Sequence, residues 1–165
     1  MKRMSSKTGE VMRPAALVLS LGVFCMGHSA LAQGNCQQVK ATSIDVFTGG
    51  NTSSGTLTQG GLLNGTTHTV YPPGGVFTQD PNVVTFLSET TITTNQGQLK
   101  TSNVVLFAIA TQQATAFWRI NPGGSTGRFA GATGLLFLNV SKGTVNGTVF
   151  TYFGDISGEI CFANQ

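Results

Sequence analysis

The chain has 165 residues, enough for one domain, with 22 glycines, 9% charged residues and a formal net charge of +3. The cationic excess sits near the N-terminus. After Ala32 the cations are Lys40, Lys100, Arg119, Arg128 and Lys142 and the anions are Asp45, Asp80, Glu89, Asp155 and Glu159, so five balance five. A neutral remainder without a basic run lacks the electrostatic footprint of nucleic-acid binding.

Residues 1–32 read as an export signal that is removed. Lys2, Arg3, Lys7 and Arg13 form a positive leader, residues 15–27 are almost continuously apolar, and Ala30-Leu31-Ala32 supplies small residues at a cleavage site before Gln33. The apolar core is well short of the ~20 residues a spanning helix needs. No membrane span is therefore expected after cleavage, and residues 33–165 are expected outside the cytoplasm, periplasmic or secreted. Of the cysteines, Cys36 and Cys161 survive cleavage. In an oxidising compartment they are a candidate disulfide worth up to ~4 kcal/mol on the chain-entropy account, and two separate buried thiols are the alternative. Neither belongs to a CxxC pair and His68 is the one histidine after Ala32, so no metal site is expected.

Beyond the leader, Gly, Thr, Val, Phe and Asn dominate and no long segment carries a 3.6-residue period, which predicts an all-β domain. Strands are predicted over 37–47, 67–71, 83–94, 99–111, 115–120, 133–141, 145–153 and 156–162. Turns are expected at Asn95-Gln96-Gly97, Asn121-Pro122-Gly123-Gly124, Lys142-Gly143 and Gly154-Asp155. Residues 48–63 and 72–81 read as surface loops where a ligand mouth would be sought. Eight strands with short connections suit an antiparallel up-and-down barrel, with a sandwich as the alternative.

Few polar residues stand out along this path. His68 and Tyr71 are candidates for the lining of a lumen, although odd spacing on an ideal strand points them to opposite faces and leaves His68 exposed in the other reading. Glu89 shares parity with Val83, Thr85 and Leu87, either as a buried acid or facing solvent. Trp118 and Arg119 face opposite ways; Trp118 is the better lumen candidate and Arg119 the surface residue. Between Val104 and Ala110, and again between Leu135 and Leu138, both alternating sets are apolar. An outer face of that kind predicts self-association, with burial beneath the protein's own loops as the alternative.

The densest motif is Gly123-Gly124-Ser125-Thr126-Gly127-Arg128-Phe129-Ala130-Gly131-Ala132-Thr133-Gly134. Its glycines suit a tight corner between strands. The spacing is that of neither phosphate-binding loop, and an apolar strand follows instead of a helix. Phe129 reads as a core plug and Arg128 as a solvated turn residue. The run resembles the GGTGxFxGAxG signature of the allene oxide cyclase and dirigent barrel superfamily, in its small secreted bacterial members, with Ser125 as an extra residue. Gly154-Asp155-Ile156-Ser157-Gly158-Glu159-Ile160-Cys161 also looks like those proteins. The resemblance covers 99–161. It implies an eight-stranded barrel with an apolar interior, trimeric in plant relatives, that steers cyclisation or coupling without a cofactor. The relatives' catalytic residues have no convincing counterparts here, and none is assigned.

Three functions follow: a noncatalytic barrel binding an apolar small molecule, a cofactor-free cyclase-like isomerase, or a structural protein whose lumen is filled by Phe86, Phe107, Phe117 and Phe137. The first and third are favoured over the enzyme, and a homo-oligomer without cofactor, metal or nucleic acid is expected.

Overall fold

The computed structural model describes residues 35–47, 49–147 and 149–163; the expected signal, 1–32, lies outside them. Among the described residues, nine strands form one antiparallel sheet: β1 (Asn35–Phe47), β2 (Thr52–Thr58), β3 (Gly65–Val70), β4 (Val76–Phe77), β5 (Val83–Thr94), β6 (Gly97–Ala108), β7 (Gln113–Ile120), β8 (Thr133–Asn146) and β9 (Val149–Phe162). Their spatial order is β3-β2-β1-β9-β8-β7-β6-β5, and β3 pairs again with β5, Gly65 opposite Thr94 and Val70 opposite Glu89. Eight strands thus close a barrel, which leaves no long unpaired edge. The short β4 extends the same edge of β5 beyond β3, with Val76 opposite Thr85. No helix among the described residues is long and apolar enough to cross a membrane.

The expected strand count is met by a different set of strands. Residues 52–58, expected within a loop, form β2. Its sequence TSSGTLT hides the pattern because Ser53, Gly55 and Leu57 alternate with Ser54, Thr56 and Thr58, and only Leu57 is large and apolar. Conversely, the expected strand 145–153 spans the β8–β9 reversal, and its larger part, 149–153, is continuous with the expected strand 156–162 in β9. The β8–β9 reversal lies beyond Asn146, where Asn146 pairs with Val149, not at Gly143 or Gly154. Those glycines sit inside strands: Gly143 falls in a register shift between Lys142 and Val145, and a Cβ on Gly154 would lie 2.8 Å from Leu138 Cδ1. Glycine there marks a bulge or close packing, which punctuation alone cannot separate from a turn.

Strand alternation sorts side chains between interior and surface. The start of β1, the end of β9, the β2–β3 connection and the β7–β8 connection all lie at one end of the barrel, because neighbouring strands are antiparallel. That end is solid. The 3-10 turns Gly61–Leu63 and Gly127–Phe129 carry Leu63 and Phe129 into it, both at 0% exposure, with Ile92, Leu99, Ile120, Leu136 and Ile160 packed in the same buried cluster. Cys36 and Cys161 are directly opposite on β1 and β9 with their sulfurs at bonding distance.

The glycine-rich run is the strap beneath this end. Thr126 N–H donates to Gln98 O at 2.8 Å and Arg128 N–H to Gln96 O at 2.9 Å, so the strap runs against the β5–β6 hairpin. Gly97 and Gly127 meet backbone to backbone, each in positive φ, and a Cβ on Gly127 would lie 2.9 Å from Gly97 Cα. The extra Ser125 has a structural role: its hydroxyl donates to Asn121 O at 2.9 Å and accepts from Lys100 N–H at 3.1 Å. Arg128 is exposed, donates to Gln96 Oε1 at 2.8 Å and lies over the Phe162 ring.

Outside, Leu87, Val104, Phe117 and Phe137 occupy successive strands on one rung and are exposed, with the two phenylalanine rings edge to face at 5.4 Å. Phe117 and Phe137 therefore do not fill the lumen. They share the outer face with Leu87 and Val104, whereas Phe86 and Phe107 point inward.

Candidate ligand-binding site

At the end opposite the plug the barrel is hollow. A cavity of about 350 Å³ opens between the β1–β2 and β3–β4 connections, whose Gly50, Pro72 and Gly75 form part of its rim. Its walls differ in chemistry. Val105, Phe107, Ala114, Ala116, Trp118, Leu138 and Val140 from β6 to β8 make one side apolar. Ser43, Asp45, Ser53, Thr67, Thr69, Ser88 and Thr90 from β1, β2, β3 and β5 make the other side polar. An apolar cavity with a few convergent polar groups is the usual form of a small-molecule site.

The polar wall is organised by hydrogen bonds. Ser53 Oγ donates to Asp45 Oδ2 at 2.8 Å. That uses its one proton, so the Tyr71 hydroxyl 3.0 Å away is the donor to Ser53. A chain Tyr71 to Ser53 to Asp45 results. Deeper in, Asn103 Nδ2 donates to Ser88 Oγ at 3.0 Å and Thr90 Oγ1 at 2.8 Å, and Thr90 shares a 2.9 Å hydrogen bond with Thr69. Asp45 needs the gap left by Gly55 opposite it on β2, where a Cβ would lie 2.7 Å from Asp45 Oδ1.

Burial raises the Asp45 carboxyl above its ordinary value, against the lowering effects of the Ser53 hydroxyl, the Val46 amide and His68. Burial likewise pushes Tyr71 up to about 12. The phenol ionises in the unfolded chain near pH 10 and in the barrel only near 12, so the stability tied to its neutral form is complete below pH 10 and lost across that interval. A shift of that size amounts to about 2–3 kcal/mol. Urea unfolding at pH 9 and pH 12 is expected to register it, and Tyr71→Phe to remove most of the difference. An unchanged pH dependence in Tyr71→Phe would mean that the phenol is not buried.

Of the residues singled out from the sequence, Trp118 and Tyr71 line the cavity, Trp118 at 5% exposure. His68 and Glu89 do not. Both face solvent, because the inward set on β3 is Thr67 and Thr69 and that on β5 is Ser88 and Thr90; His68 Nδ1 lies 3.3 Å from Ser54 Oγ on the outer surface. Arg119 is exposed as well. Gly123, Gly124, Gly127, Gly131 and Gly134 belong to the strap and its junction with β8, away from the cavity lining.

Sequence reasoning missed Asp45, Ser53 and Thr67. A signal existed for Asp45: Val39, Ala41, Ser43 and Asp45 share one parity, and the first two are plainly core-type residues. No family model, curated protein or solved structure matches the chain.

Proposed function

We propose that the protein is an exported, noncatalytic barrel that binds an apolar small molecule in its lumen. The observation that carries this reading is the two-sided cavity, with room for a ligand body against Trp118, Leu138 and Val140 and polar groups opposite. The paired Cys36 and Cys161 sulfurs are consistent with an oxidising, extracytoplasmic location. The closed eight-stranded barrel and its glycine strap support kinship with the allene oxide cyclase and dirigent barrels. In the same reading the outer stripe of Leu87, Val104, Phe117 and Phe137 is covered by further copies of the chain, a trimer on the analogy of the plant barrels. The balanced charge after Ala32 offers no repulsion against that.

Native mass spectrometry of the oxidised protein from its own host tests both parts. Expected is an oligomer carrying an apolar adduct that is lost on denaturation and absent from Ala116→Phe, which fills the cavity from its apolar wall. An adduct-free barrel that also leaves apolar dyes unbound would overturn the binding role, and a monomer at micromolar concentration the assembly. A second reading is a cofactor-free cyclase-like isomerase acting on a reactive lipid or phenolic intermediate. It is favoured by the Asp45, Ser53 and Tyr71 chain, which sets an acid and a phenol at the cavity.

A further inference from the structure

We propose that the lumen selects a protonated amine: an apolar molecule whose ammonium head pairs with Asp45 on the side of Thr67. This rests on the lumen being a binding site. The interior side-chain atoms left without a hydrogen-bond partner are all oxygens, Asp45 Oδ1, Thr67 Oγ1 and Asn103 Oδ1, and no buried side-chain N–H among the described residues lacks one. Asp45 Oδ1 and Asn103 Oδ1 only accept, and the Thr67 hydroxyl accepts as well as donates, so free acceptors outnumber free donors and are matched by a head group that donates. Ammonium offers three donors and no acceptor, a hydroxyl one donor, a carboxylate none.

Register locates the head group. Asp45, Gly55 and Thr67 follow one another on adjacent strands of the same rung, and glycine in the middle places no side chain between the outer two, so that Asp45 Oδ1 reaches over it toward Thr67. The backbones of β1 and β3 are about 9.5 Å apart at two strand spacings, a gap that two short side chains and a small cation span. The Tyr71 to Ser53 chain donates into Oδ2 and so leaves Oδ1 for the ligand.

Charge and ring placement point the same way. Asp45 is the one carboxylate among the lining residues, and no lysine, arginine or histidine accompanies it among the described side chains there. A cationic ligand pairs with that carboxylate through a charge-assisted hydrogen bond. Phe47, Tyr71, Phe86, Phe107, Trp118 and Tyr152 also line the cavity, and aromatic faces attract a desolvated cation.

The test follows the fluorescence of Trp118, the single tryptophan, in the oxidised protein at neutral pH. It is titrated with phenethylamine, phenethyl alcohol and phenylacetate, which share a ring and spacer and differ in the head. The amine is expected to bind roughly tenfold or more tightly than the alcohol, with the acid weakest. Asp45→Asn is expected to bring the amine to the level of the alcohol while leaving the alcohol unchanged. By register Lys142 falls on the rung of Tyr152 and Asp45, and Lys142→Gln is expected to preserve the order of the three probes. Equal or tighter binding of the alcohol or acid, or an amine preference that survives Asp45→Asn, overturns the proposal. If a neutral apolar dye binds while the amine gains nothing over the alcohol, the amine inference alone fails. If dye and probes all leave Trp118 unchanged, the binding role fails with it.

Discussion

Replacing Phe129 by alanine is expected to lower the stability of the barrel by about 3–5 kcal/mol, the usual range for emptying a fully buried aromatic site. Phe129 is 0% exposed and stands in the 3-10 turn of the strap, its ring centroid 6.3 Å from that of Phe162. Around it the end of the barrel is rigid: the strap is held by backbone hydrogen bonds to Gln96 and Gln98 and by the direct contact of Gly97 with Gly127. Such surroundings cannot collapse into the hole, so the cavity term adds to the lost transfer free energy. Phe129→Leu, which keeps most of the volume, is expected to cost much less. Urea unfolding followed by Trp118 fluorescence checks both. Because the plug and the ligand cavity lie at opposite ends, Phe129→Ala is also expected to leave ligand affinity unchanged wherever the protein remains folded. A loss under 1 kcal/mol would show that the strap does not seal the barrel.

Loss of the link between Cys36 and Cys161 is the second large effect. The two residues are separated by 125 positions in sequence, and opening so long a loop gives the unfolded chain entropy worth about 4 kcal/mol. In the native barrel the same residues are held opposite one another by the ladder between β1 and β9, so the link adds nothing to pairing that the strands do not already specify. Its contribution therefore falls on the unfolded state. The barrel is expected to keep its fold and cavity in Cys36→Ser with Cys161→Ser, with a lower denaturation midpoint and a little-changed native far-ultraviolet spectrum. A reducing agent is expected to shift the wild-type protein by the same amount and the double variant not at all. A reducing agent without effect on the wild type would mean that the thiols are unlinked in the purified protein.

How far the site was legible depends on what each strand shows to a reader of sequence. β5 and β6 declare themselves through dense Val, Thr, Phe and Ile, and the expected bounds of β5 coincide with the observed Val83–Thr94. β2 is silent for the same reason that it matters. Ser53 lines the cavity and Gly55 leaves room for Asp45, so the residues that make the site also remove the hydrophobic alternation that marks a strand. Glu89 drew attention as a charge amid apolar residues, yet Ser88 is its inward neighbour. Asp45 passed as one anion among five, because its parity with Val39 and Ala41 acquires meaning only once the inner face of β1 is known.

By itself the amino-acid sequence determined the class of the protein: a β-rich, charge-poor domain of about eight strands, with two cysteines as a candidate disulfide and a phenylalanine in the glycine run. These are local or compositional properties, set by side-chain branching, by parity and by the conformational demands of glycine. Only the tertiary structure decided that one end is solid and the other hollow, and that Asp45, Ser53 and Tyr71 converge from β1, β2 and the β3–β4 connection. Closure of the barrel sets both. It pairs strands distant in sequence, and which polar side chains share an interior rung depends on register around the whole circuit, a long-range quantity that no single segment contains.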